Sequence, residues 1–148
     1  MGSNPRGSLT LILLLDQLPR NAFRDSPFPW ATSDPLSLEL AEHFVLKEGH
    51  DRQHPAYKRI FYYMPFVHSE RLPYQELSLA KWADFAWELR EGEEKDCHEF
   101  AQMGLNYAWK HYEIIEKYNR FPHRNAVLGR ETTEEESKYL TESGGKLF

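Results

Sequence analysis

Apolar positions crowd the start of the chain, where Leu9, Leu11, Ile12, Leu13, Leu14, Leu15 and Leu18 cover nearly every side of a helix. Leucine lacks the β-branching that strands favour, so the run predicts a helix rather than a buried strand. An all-round apolar helix is expected at the centre of a fold, surrounded by other elements. Residues 24–32 hold Pro27 and Pro29 among aromatics and predict an ordered but irregular connection. Asp34 then has the chemistry of an N-cap and Pro35 that of a first helical residue, ahead of Leu36, Leu40 and Phe44 at four-residue spacing. Gly49 supplies a stop.

The rest of the pattern is also helical. Pro55 opens a segment with Tyr57, Ile60, Phe61 and Met64 on one side, which Pro65 is expected to kink or end. Residues 74–90 predict a broad-faced helix carrying Leu77, Ala80, Trp82 and Phe85. Phe100, Met103, Tyr107, His111, Ile114 and Tyr118 recur every three or four residues and predict a long helix over 100–118. Thr133 and Glu136 have capping-box spacing ahead of a short terminal helix that Gly144 and Gly145 would end. Six helical segments without strand alternation predict an all-α fold, a compact antiparallel helical array, in a single domain over residues 8–142.

Composition narrows the class. With 41% hydrophobic and 28% charged residues the chain reads as a soluble globular protein. The longest apolar run, residues 11–15, is far short of the roughly 18 residues a membrane helix needs, and no secretory signal pattern precedes it. The single cysteine, Cys97, rules out an internal disulfide framework or a cysteine-rich metal cluster. A cytoplasmic protein is expected. A net charge of -5 argues against nucleic acid as the main partner.

Three polar constellations interrupt the apolar pattern. The first is Asp16-Gln17-Leu18-Pro19-Arg20-Asn21 with Arg24, the second His68-Ser69-Glu70-Arg71, and the third Asn119-Arg120-Phe121-Pro122-His123-Arg124-Asn125. Asp16 and Arg20 are four apart and suit one helix face, as an ion pair or as part of a ligand pocket. His68 suits a general base, a metal ligand or a hydrogen-bonded core histidine, and Glu70 an orienting partner of His68 or an ion pair with Arg20 or Arg124. Residues 117–130 carry four Lys or Arg and no Asp or Glu, which suits recognition of a carboxylate or phosphate, or pairing with the acidic stretch at 88–99. Pro19-Arg20-Asn21-Ala22 and Pro122-His123-Arg124-Asn125-Ala126 echo one another, as two helix-end turns facing a shared cavity would.

Asp16, His68, Glu70 and His123 include metal-binding atom types, but their spacing matches no compact metal motif, and no metal is assigned. Nor does a nucleophile stand out. Ser69 lacks a nucleophile-elbow context, and Cys97 sits among acids that disfavour a thiolate. Two classes of function stay open. One is a polar pocket for a small anionic molecule with acid–base capacity, in which His68, His123, Glu70 and Asp16 handle protons and Arg20, Asn21, Arg124 and Asn125 bind the ligand. The other is a noncatalytic scaffold or homo-oligomeric interaction module. No cofactor follows from either.

The blocks Leu15-Asp16-Gln17-Leu18-Pro19-Arg20-Asn21 with Phe23-Arg24, Tyr63-Met64-Pro65-Phe66-Val67-His68-Ser69-Glu70, and Arg120-Phe121-Pro122-His123-Arg124-Asn125 resemble, in that order, the tetratricopeptide-like helical family called domain of unknown function 924. The resemblance covers residues 7–140 and implies a tetratricopeptide-like array, without assigning a reaction or substrate. Leu18 and Val67 depart from the family's Phe and Met but stay apolar. The family also carries an aromatic-rich region ahead of the leucine-rich helix, and its absence here implies one of three outcomes: an exposed apolar groove, self-association, or loss of part of the family's pocket.

Overall fold

Asn4 accepts a hydrogen bond from the Arg6 amide and Pro5 fills the first helical position, so the chain enters a helix almost at once. The computed structural model describes residues 4–23, 26–91 and 94–144. Among these, seven α-helices and no strand occur: α1 Pro5–Ile12, α2 Leu18–Ala22, α3 Asp34–Glu42, α4 Ala56–Val67, α5 Leu72–Leu89, α6 His98–Tyr118 and α7 Glu134–Glu142. The all-α array expected from the pattern is therefore the fold. Arg24 and Gly145, singled out in the sequence, lie outside the described residues.

Three wide π-turns shape the N-terminal half. Leu13–Gln17 joins α1 to α2, Pro29–Ser33 leads into α3, and His43–Lys47 prolongs α3. Such turns insert an extra residue into the helical ladder and re-aim the side chains beyond it. The leucine-rich helix is not central, as its composition suggested. Leu9, Ile12, Asp16 and Pro19 face inward, whereas Leu11, Leu14 and Leu18 are about half exposed. Gly49 ends the prolonged α3 with φ +62, a conformation that suits a residue without Cβ. Pro65 does not stop α4, which continues to Val67.

The core is aromatic. Tyr62, Tyr63 and Phe66 of α4 pack with Trp82 and Phe85 of α5 and with Ala101 and Ala108 of α6, all nearly inaccessible to water. Each such ring contributes about 1.5–3 kcal/mol on burial. The α5–α6 pair packs tightly at Gly104, where any Cβ would overlap the Trp82 indole. A second, smaller cluster of Ile114, Ile115 and Phe121, with Leu72, Tyr118 and Tyr139 at its edge, ties the segment after α6 to the body. The Thr133–Glu136 capping box forms as expected. No helix among the described residues is long and apolar enough to cross a membrane.

Candidate functional site

The π-turn before α2 turns Asp16 fully into the interior, where a carboxylate requires partners. Asp16 Oδ1 accepts from Nδ1 of His68 at 2.7 Å, and Oδ2 accepts from the Gln17 amide. His68 stands at the C-terminal end of α4. The turn that carries it is held by Gln75, fully buried, whose amide donates to the carbonyls of Val67 at 2.7 Å and Ser69 at 2.6 Å. Those carbonyls would otherwise be orphaned at the helix end.

Asp34 joins the three constellations. Arg20 Nη2 donates to its Oδ1 at 2.5 Å and lies 3.6 Å from Asp16. Arg124 Nη1 lies 3.6 Å from Asp34 Oδ2, while its Nη2 donates to the His68 carbonyl at 3.0 Å and its guanidinium sits 4.5 Å over the Phe121 ring. Asp34 is thus not the N-cap its sequence context suggested. Ser33 before it is already helical, so the Asp34 carboxylate is free to serve the arginines. The local capping rule sees neither Arg20 nor Arg124.

Glu70 takes a partner that the sequence did not single out, Arg130, whose Nη1 and Nη2 reach its two oxygens at 2.8 and 3.0 Å. Glu70 also accepts from the Phe121 amide at 2.7 Å. These bonds dock residues 121–130 against the turn between α4 and α5. Asn21 is exposed and donates to the Gln17 carbonyl, and Asn125 is buried but donates to Thr132 and Glu136. The two arginines of the internal echo therefore converge on Asp34, while the two asparagines serve their own surroundings. His123 packs on Phe121, and its Nδ1 is buried with no hydrogen-bond partner. His111, which the pattern placed in the apolar stripe of α6, lies 6.4 Å from the His68 ring, centroid to centroid.

The charges are internally balanced, with Asp16 and Asp34 against Arg20 and Arg124. Burial would raise the Asp16 carboxyl, but His68 and Arg20 outweigh it and hold the group below the usual carboxylate range. Burial, then Arg20, lowers His68. At neutral pH the pair is therefore a carboxylate and a neutral imidazole whose proton sits on Nδ1. Burial raises Asp34 despite its two arginines. Burial and neighbouring cations bring His123 to about 4 and Arg124 to about 10, and burial brings His111 to about 3.

This network backs onto a cleft of about 480 Å³ between α3 and the α4–α5 turn. Ligand sites commonly measure about 300–1,000 Å³. Trp30, Leu38, Pro65 and Tyr74 give it apolar walls; Asp34, Glu39, Glu42, His68, Arg71 and Arg124 are among its polar lining. With Nδ1 committed to Asp16, no described residue bonds His68 Nε2, and that atom is not sealed from water. Asp16, Arg20 and His123 stand behind the lining rather than in it. Among the described residues no three His, Cys, Asp or Glu side chains converge as a metal site would require.

The geometry has relatives. A solved structure of a protein of unknown function, ATU0120 from Agrobacterium tumefaciens, is 38% identical and superposes with a TM-score of 0.76, over 94% of this chain and 69% of that one. No curated protein matches significantly. Residues 1–144 match the family described as bacterial protein of unknown function, DUF924. With a match of that extent and a relative of that fold and identity, the chain belongs to the DUF924 family.

Proposed function

We propose that the cleft binds a small molecule bearing anionic oxygens and that His68 exchanges a proton with it. The observation carrying this reading is His68, which lines the cleft with Nδ1 held at 2.7 Å by a fully buried carboxylate and with no described residue bonded to Nε2. A general base needs this arrangement, with one nitrogen oriented by a carboxylate and the other free to accept. A proton leaving the bound molecule would go to Nε2, and Asp16 would stabilise the resulting imidazolium. Arg124 at the inner end and Arg71 at the mouth supply the guanidinium donors for the anionic oxygens.

The test is calorimetric titration of the full chain with inorganic phosphate and with succinate, while following the His68 ring resonances. Saturable binding that shifts those resonances is expected, weakened about ten-fold by Arg71→Gln, the loss of one charge-assisted contact. Absence of any saturable effect of either anion on His68 overturns the reading.

A second reading, a noncatalytic homo-oligomeric module, is favoured by the internal cancellation of the buried charges and by the half-exposed Leu11, Leu14 and Leu18 on successive turns. Sedimentation that shifts with protein concentration, together with no response to either anion, would select it. A tetratricopeptide-like arrangement of the helix pairs belongs to the proposal, supported by the extensive α5–α6 packing. So does a cytoplasmic location, supported by the free thiol of Cys97.

A further inference from the structure

The charges lining the cleft differ in whether the protein itself satisfies them. Asp34 is engaged by Arg20 and Arg124, and Glu70 by Arg130. Arg71, Glu39 and Glu42 are not. Arg71 has no carboxylate within ion-pair distance among the described residues; its guanidinium lies 4.7 Å over the Tyr74 ring. Glu39 is exposed, with no described ion-pair partner. Among the described residues Glu42 accepts the Tyr74 hydroxyl, at 2.6 Å, and no cation. Tyr74 therefore stands between the two signs: Arg71 lies over its ring and also hydrogen-bonds its side chain, while the hydroxyl donates to Glu42.

We infer that the occupant of this cleft is a short zwitterion, whose carboxylate or similar anionic group meets Arg71 near His68 and whose ammonium group meets Glu39 and Glu42 of α3. The inference rests on the anion-binding reading above and adds the second, cationic end. Three features of the cleft support it. Its unengaged charges are of both signs, so a purely anionic guest would face two uncompensated carboxylates at the α3 wall. Trp30 adds aromatic surface to the same lining, which favours an ammonium group over a second anion. And the His68 side chain, nine-tenths buried, lines the cleft with its Nδ1 held by Asp16 and with no described residue bonded to Nε2, a buried polar atom that a guest would satisfy.

Three probes of equal length separate the contributions: butyrate, butylammonium and 4-aminobutyrate, each titrated into the full chain by calorimetry with the His68 resonances monitored. The zwitterion is expected to bind about ten-fold tighter than either singly charged probe, the increment of one charge-assisted pair. The exposed-site variant Glu39→Gln and the double variant with Glu42→Gln are expected to bring 4-aminobutyrate down to the affinity of butyrate, while butyrate binds no more weakly than before. Equal affinity for butyrate and 4-aminobutyrate overturns the zwitterion and leaves the anion site standing. If none of the three probes, nor phosphate, perturbs His68, the anion site falls and the zwitterion with it. Melting curves establish that the variants are folded, and Glu39→Gln alone removes only a solvent-facing charge.

Discussion

At the residue scale, three histidines near the site are held neutral, and this gives stability a definite pH dependence. His111 titrates in the folded chain at about 3 and His123 at about 4, both lowered mainly by burial; His68 is lowered in the same way. The unfolded chain takes up these protons near pH 6.5. Between that value and the folded pKa the unfolded state binds more protons, so stability is complete above pH 7 and falls as the solution is acidified. At pH 5 each of His111 and His123 has cost about 2 kcal/mol relative to pH 7. Urea unfolding at the two pH values should show a loss of about 4 kcal/mol or more. Equal stability at both would mean that these imidazoles are not shielded. The sequence revealed His68 and His123 as chemically interesting, but His111 was legible only as a packing position, because spacing along α6 does not show which ring faces another.

At the element scale, the site depends on helix ends and wide turns. Gln75 belongs to α5, yet its amide closes the end of α4 and fixes the turn carrying His68. Gln75→Leu keeps the side chain at a similar size but replaces its amide with an apolar group, leaving the buried carbonyls of Val67 and Ser69 without that donor. A destabilisation of about 1–3 kcal/mol is expected in thermal or denaturant unfolding. His68 should also lose its fixed orientation, seen as exchange broadening of its ring resonances. A neutral substitution with unchanged His68 signals would contradict the role given to Gln75.

The elements themselves were largely readable. The Thr133–Glu136 box, the helix over α6 and the stops at Gly49 and Gly144 follow from local chemistry that the fold leaves intact, whereas Phe100, Met103 and Tyr107 of the α6 stripe lie exposed and Ala101 and Ala108 pack in their place. The π-turns were not readable, since an inserted residue leaves no periodic mark in so short a run. Asp34 was assigned to a cap for the same reason. The turn before it keeps Ser33 helical and releases the carboxylate to Arg20, a residue fourteen positions earlier.

At the scale of the whole molecule, three stretches far apart in sequence meet through few contacts: Asp16 with His68, Asp34 with Arg20 and Arg124, and Glu70 with Arg130. The sequence contained each stretch and the two echoing arginines, but the meeting point is a property of the helix packing. Asn21 and Asn125 show the limit of the echo, since they share a motif with the arginines but not their destination. Burying four charges in a self-balanced group is weakly stabilising at best, and breaking one member costs about 3–5 kcal/mol. That balance holds His68 in place through Nδ1, while no described residue bonds its Nε2.

The most direct test is nitrogen-detected NMR of the His68 imidazole, recorded across pH 5–8 with and without inorganic phosphate. A neutral ring through neutral pH is expected, protonated on Nδ1, whose Nε2 resonance moves saturably with the added anion. A ring already charged at pH 7, the opposite tautomer, or an Nε2 signal indifferent to phosphate would contradict it.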